Sequence, residues 1–103
     1  MIKATVLYPN QEGSKFDIDY YCNKHMPMVA ERFGAACKGM SVEQGFAGMA
    51  PGAPAAFAVI AQMTFDSLEA FQSVFAPHAA EILADIPNYT SIQPVIQFSE
   101  VKM

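Results

Sequence analysis

The sequence predicts an α+β fold: a four-stranded antiparallel sheet with two helices on one face. Three observations predict it. Strand-like alternation and helix-like spacing occur in the order strand, helix, strand, and then again in that order after the Pro/Gly-rich connection Ala50-Pro51-Gly52-Ala53-Pro54. Each helical pattern opens on residues able to cap a helix. The strands carry apolar residues on both sides, although two helices can cover only one face of a sheet. Two βαβ units in succession form the ferredoxin-like split βαβ arrangement. Its bare apolar face points to a homodimer in which two sheets pack face to face, a dimeric α+β barrel.

Residues 2–8, Ile2 to Tyr8, alternate around β-branched side chains and read as the first strand. Pro9-Asn10-Gln11-Glu12-Gly13 has turn chemistry. Ser14 is placed to cap the first helix, with Asp17 three residues on, and Asp17 and Asp19 suit the positive end of its dipole. The helix runs to about Phe33, where Gly34 can end it. Ile18, Cys22, His25, Val29 and Phe33 recur at spacings of three and four and so share a face, with Tyr21 at its border. Pro27 cannot donate to the carbonyl of Asn23, which predicts a kink.

Cys37 to Met49 reads as a second strand region, its glycines marking a bulge or a close backbone approach, and Ala56 to Phe65 as a third strand. Asp66-Ser67-Leu68-Glu69 is a capping-box signature for the second helix. That helix carries the stripe Leu68, Phe71, Phe75, Ala79, Ile82 and Ile86, bends at Pro77 and stops at Asp85-Ile86-Pro87-Asn88. Tyr89 to Lys102 reads as the last strand, which Pro94 assigns to an edge or a bulge.

The 103 residues allow one domain, 1–103. Hydrophobic residues make up 52%, a surplus for so small a core and a second reason to expect a partner subunit. The net charge is −4 and the six Lys and Arg are dispersed, so nucleic acid and anionic membranes are poor partners. Cys22 and Cys37 are too few for a disulfide framework; with no signal peptide and no membrane span, they point to reduced thiols in a cytoplasmic protein. No phosphate-binding loop, CxxC, HExxH or haem-linkage motif occurs, and neither a metal nor a cofactor is expected.

Several residues have the chemistry for a site. His25, on an apolar helical face, is an acid or base near neutral pH, or else a satisfied core histidine. Tyr20 and Tyr21 are placed to orient it or to hydrogen-bond a substrate carbonyl. His78, beside Pro77, shares a cavity with His25 if both helices line one. Asp85, Asn88 and Tyr89 form a helix-to-strand junction that either orients a histidine or is a plain side-chain-bonded turn. Tyr8, at the end of the first strand, is a candidate pocket wall. Cys22 and Val29 lie on the His25 face; a Cys22–His25 pair is too small a set for a firm metal site.

The run Phe16-Asp17-x-Asp19-Tyr20-Tyr21-x-x-x-His25-Met26-Pro27 resembles the EthD family, named for ethyl tert-butyl ether degradation. The second half agrees, through Ala84-Asp85-Ile86-Pro87-Asn88-Tyr89-Thr90 and Gln93-Pro94-Val95-Ile96-Gln97. The resemblance implies a dimeric α+β barrel and places His25 at the centre of a site, with Tyr21 and the Asp85–Asn88 turn beside it. Its superfamily includes cofactor-independent monooxygenases, polyketide cyclases, lactone isomerases and haem-degrading enzymes, so the fold transfers and the reaction does not.

Two functions from different classes follow. One is a small oxidoreductase-like enzyme acting on an apolar or aromatic metabolite with a carbonyl or phenol. His25 and Tyr21 would be catalytic, and Tyr8, Tyr20, Cys22, Val29, His78, Asp85, Asn88 and Tyr89 would bind substrate. The chemistry is proton transfer or cofactor-independent oxygenation. The other is a non-catalytic small-molecule-binding accessory protein of a degradative pathway. A dimer with a filled core is a third, purely structural reading.

Overall fold

The computed structural model describes all 103 residues. Strand β1 (Ile2–Pro9) leads to helix α1, which comprises Ile18–Tyr20, a π-helical turn Tyr21–His25, and Met26–Phe33. Strands β2 (Gly39–Gln44) and β3 (Phe57–Phe65) follow. Helix α2 comprises Leu68–Phe75, a bend Ala76–His78 and Ala79–Ala84, and strand β4 (Val95–Glu100) closes the chain. The sheet order is β2-β3-β1-β4, with every pair antiparallel. The predicted α+β, ferredoxin-like architecture is the observed one.

Register fixes which residues face the helices. Ala4 lies opposite Met63 and Phe98, Val6 opposite Ala61 and Ile96, and Tyr8 opposite Val59. Alternation then turns one side of every strand to α1 and α2. Val59, Ala61, Met63 and Phe65 of β3 are all buried there. Phe65 anchors the layer, with its ring edge-on to Phe33 of α1 at 5.7 Å and to Phe71 of α2 at 5.2 Å. On the other side, away from both helices, Leu7 is flanked in register by Ile60 and Val95; Val95 is exposed and Leu7 and Ile60 are half-buried.

Several boundaries differ from the sequence expectation, each for a local reason. Asp17, not Ser14, caps α1: its carboxylate accepts the Tyr20 amide at 3.0 Å, while the Ser14 hydroxyl turns back to the Gln11 carbonyl. At α2 the capping side chain is Ser67, which accepts the Ala70 amide at 3.1 Å. Gly34, at φ 57°, ends the α-helical part of α1, a conformation that disfavours a side chain. Strand β2 stops at Gln44; Gly45 still donates to the Ala58 carbonyl at 2.8 Å, and a Cβ there would strike the Phe57 carbonyl. Strand β4 begins six residues later than Tyr89, since Phe16 and Thr90 form only an isolated bridge and Pro94 offers no amide.

The expected irregularity at Pro27 takes the form of a π turn. Pro27 leaves the Asn23 carbonyl without its usual donor, and the amide of Met26 reaches back five residues to Tyr21. The extra residue rotates the buried face. Tyr21, His25, Met26, Val29 and Phe33 point inward, Cys22 is exposed, and Ile18 is half-buried.

Phe65 has no exposed surface and contacts both helices, so Phe65→Ala is expected to destabilise the fold by about 3–5 kcal/mol. Urea denaturation measures this; a loss below about 1 kcal/mol would mean that the two helices are not anchored through this ring.

Candidate functional site

Between the helices and the sheet lies a cavity of about 330 Å³, and sixteen of its eighteen lining residues are hydrophobic. Its mouth is apolar: Leu83, Ile96 and Phe98 line the cavity and remain 48%, 50% and 44% exposed. Its polar end is buried and is formed by His25, Tyr8, Tyr21 and Tyr89.

His25 stands in the π turn, with its ring nearly parallel to that of Tyr21, 13° between planes and 5.4 Å between centroids. Tyr89 packs against it at 4.7 Å. Its Nδ1 lies 2.9 Å from Oδ2 of Asp85, a residue sixty positions away at the end of α2. The other Asp85 oxygen accepts the Tyr20 hydroxyl at 2.6 Å and the Asn88 amide at 2.9 Å. Burial pushes the Asp85 carboxyl up, but hydrogen bonds from Tyr20, Asn88 and His25 outweigh it and hold the group below its ordinary range. An ionised carboxylate can only accept, so Nδ1 carries a proton; in the neutral form of the ring the lone pair then lies on Nε2.

Nε2 makes no hydrogen bond, yet no fully buried side-chain nitrogen or oxygen lacks a partner. It is therefore not fully buried, and His25 lines the cavity. Beside it the hydroxyls of Tyr8 and Tyr89 are 2.7 Å apart, so one donates to the other and the second keeps a proton to offer. Burial raises all three buried phenols; the Tyr89 bond partly offsets this for Tyr8, while proximity to Tyr8 adds to it for Tyr21 and Tyr89. These groups act as neutral hydrogen-bond donors. The site thus pairs a carboxylate-oriented base with phenolic donors, an arrangement suited to removing a proton and stabilising the resulting oxyanion.

The structure sorts the sequence candidates. His25, Tyr21, Tyr8, Val29 and Tyr89 line the cavity. Tyr20, Asp85 and Asn88 do not; they form the hydrogen-bonded support behind His25 and border outer grooves instead. Cys22 is exposed because the π turn shifts the helical face. His78 also stays outside: the bend at Ala76–His78 sets it near Glu81, whose carboxyl is lowered chiefly by Arg32 and to a smaller degree by His78. Sequence reasoning missed Met26, Ile96 and Phe98 as cavity walls. The alternation of β4 carries a signal for the last two. No three His, Cys, Asp or Glu side chains converge on a metal position. Nor is any helix long and apolar enough to cross a membrane.

Comparison with known proteins gives a consistent family. The EthD domain is matched over residues 12–93. An EthD-like protein from Ralstonia eutropha JMP134 is 52% identical, with a TM-score of 0.96 over 99% of this chain and 92% of that one. An EthD family protein from Bacillus halodurans C-125 is 18% identical, with a TM-score of 0.68 over 99% of each chain. A protein from Thermobifida fusca YX, described as dimeric, ferredoxin-like and of unknown function, is 14% identical, with a TM-score of 0.58 over 97% of this chain and 90% of that one. No curated protein matches the chain.

The chain has only two histidines, so ring nitrogen NMR reads His25 directly. At neutral pH His25 is expected as the Nδ1–H tautomer, and Asp85→Asn is expected to abolish that preference. Because the Asp85 pKa is lowered on folding, its stabilising contribution is complete above the ordinary carboxylate range near 4. The contribution declines as pH falls through the lower folded-state value. Urea denaturation across that interval should show a flatter pH dependence in Asp85→Asn; identical slopes would remove Asp85 from this role.

Proposed function

The chain belongs to the EthD family, and we propose that it is a small enzyme catalysing proton transfer on an apolar or aromatic metabolite that bears a carbonyl or phenol. One observation carries the reading. His25 lines an apolar cavity with Nε2 unbonded, while Asp85 holds the opposite ring nitrogen. The substrate C–H or O–H proton passes to Nε2. The electron pair moves to the substrate oxygen, where the Tyr8–Tyr89 hydroxyl pair and Tyr21 can donate to it. The imidazolium formed is stabilised by Asp85 and returns its proton to another position, giving isomerisation or cyclisation.

Cofactor-independent oxygenation shares the first step. A substrate methylene then reacts with dioxygen to give a carbonyl and water, and the substrate supplies all four electrons. The roles follow position: His25 as base, Tyr21 beside it, and Tyr8, Val29 and Tyr89 as substrate contacts. Tyr20, Asp85 and Asn88 act through His25.

The uncovered sheet face with Leu7, Ile60 and Val95 supports a homodimer, as the Thermobifida fusca relative is described to be. The two unpaired thiols, Cys22 exposed and Cys37 half-buried, fit a reducing cytoplasm.

Solvent-deuterium incorporation into an aromatic 1,3-dicarbonyl such as benzoylacetone, followed by NMR, tests the base. His25→Gln should slow catalysed exchange by roughly 10²–10⁴-fold. Undiminished exchange in that variant would rule out His25 as the base. Binding without exchange in the wild type would favour the accessory-binder function, and oxygen consumption would identify the oxygenation branch. Sedimentation should give a dimer at micromolar concentration, which Ile60→Glu dissociates; a monomeric wild type would reject the face-to-face assembly.

A further inference from the structure

The cavity has a pronounced asymmetry of charge. None of its lining residues is Lys, Arg, Asp or Glu. The chain's cations all lie elsewhere. Lys15 and Lys24 border separate outer grooves, Lys24 above the Tyr20 ring. Arg32 is held by Glu81 through two hydrogen bonds, at 2.8 Å and 3.0 Å. Lys102 pairs with Glu100. Lys3 is in register with Thr64 and Ser99 on the open face of the sheet, and Lys38 is exposed before β2.

The formal charge bonded to the polar end is negative: Asp85, one imidazole ring behind the cavity surface, with Lys24 farther out on the groove that Asp85 borders. Even a protonated His25 would do no more than neutralise it. The Tyr8, Tyr21 and Tyr89 hydroxyls bring dipoles but no countercharge. The direction of approach adds to this constraint. The exposed rim at Leu83, Ile96 and Phe98 is apolar, whereas His25 and Tyr8 are 4% and 2% exposed. A polar head group must therefore pass the rim, shed its water and end at the buried wall.

Uncharged carbonyl and hydroxyl groups recover that loss from Nε2 and the phenols. A carboxylate or phosphate would meet no cation there and would face Asp85. We infer that the cavity selects uncharged ligands, aromatic or alkyl-aromatic molecules with a single hydroxyl or carbonyl at the inner end, and rejects their carboxylate counterparts. This deepens the reading of the same site given above: it fixes the charge and orientation of the substrate class, and it holds for a binder as much as for an enzyme.

Three probes of closely similar shape separate charge from size: naphthol, naphthoate and methyl naphthoate of the same substitution pattern. Each is titrated into the wild-type protein at neutral pH by calorimetry, with NMR shifts of the His25 ring and Tyr89 reporting location. Naphthol and the methyl ester are expected to bind and to move those signals. Naphthoate should bind weaker by on the order of a hundredfold. A second arm uses Ile96→Lys, at the half-exposed rim, which should narrow the gap between naphthoate and its ester.

Naphthoate binding as tightly as the ester in the wild type, with the His25 shifts, would overturn the proposal. Failure of all three to bind would refute an aromatic-sized ligand. Because these are binding measurements, absence of turnover leaves them intact. Equally, tight naphthoate binding would overturn charge selection without touching the exchange experiment.

Discussion

The Asp85 carboxylate is the constraint on which the rest of the site depends. It belongs to the last turn of α2, yet its two oxygens gather His25 and Tyr20 from α1 and Asn88 from the following turn. These contacts join segments some sixty positions apart and stand behind one wall of the cavity. They also decide a chemical question. With Asp85 ionised and accepting, the imidazole keeps a proton on Nδ1, and in the neutral ring the lone pair falls on Nε2. Removing the carboxylate would leave a buried ring N–H without its acceptor, a cost of about 1–3 kcal/mol. The same contacts thus serve stability and orientation.

The π turn explains why His25 and Tyr21 face the same interior. In a regular helix the stripe Ile18, Cys22, His25, Val29 and Phe33 would be buried and Tyr21 would sit at its border. The bond from Met26 to the Tyr21 carbonyl adds a residue to the turn, and the buried face passes from Cys22 to Tyr21. Pro27 signals this irregularity in the sequence through its missing amide. The sequence alone does not distinguish a kink from a widened turn, because Pro27 withholds the usual donor from the Asn23 carbonyl in both. The outcome depends on what the inserted residue gains: Tyr21 stacks on His25 and packs edge-on against Tyr8 and Phe16.

Much of the fold was legible because its signals are local. Alternation in β1 and β3, the α2 stripe and the Pro/Gly connection each reside in a short window, and their order specifies the topology. The site was legible in part for the same reason: the His25, Val29 and Phe33 spacing already put those residues inside. What could not be read was which side of a wall a residue occupies. Asp85 and Asn88 carry the signature of a side-chain-bonded turn, which is the same whether the turn faces a ligand or supports a histidine. His78 lies beside the helical stripe, and at the bend it stays outside the cavity. Cavity walls from β4 are harder still, since Ile96 and Phe98 acquire their role only through register with Val6 and Ala4 of β1.

The hollow has a thermodynamic consequence. A domain of this size buries only about two-thirds of its unfolded surface, and its net stability is a small difference between large terms. A cavity of about 330 Å³ walled by large apolar side chains forfeits contacts that a filled core would make. The surplus hydrophobic residues therefore cannot be explained by the monomer's core alone, where Leu83, Val95, Ile96 and Phe98 stay substantially exposed. They divide between two surfaces. Ile96, Phe98 and Leu83 form the exposed rim of the cavity. Val95, with Leu7 and Ile60, lies on the opposite face of the sheet, where a second sheet would remove it from water. Strand β4 contributes to both, since alternate residues point to opposite faces. A substitution in β4 is thus assigned by its parity: Ile96 and Phe98 to the cavity, Val95 to the open face of the sheet.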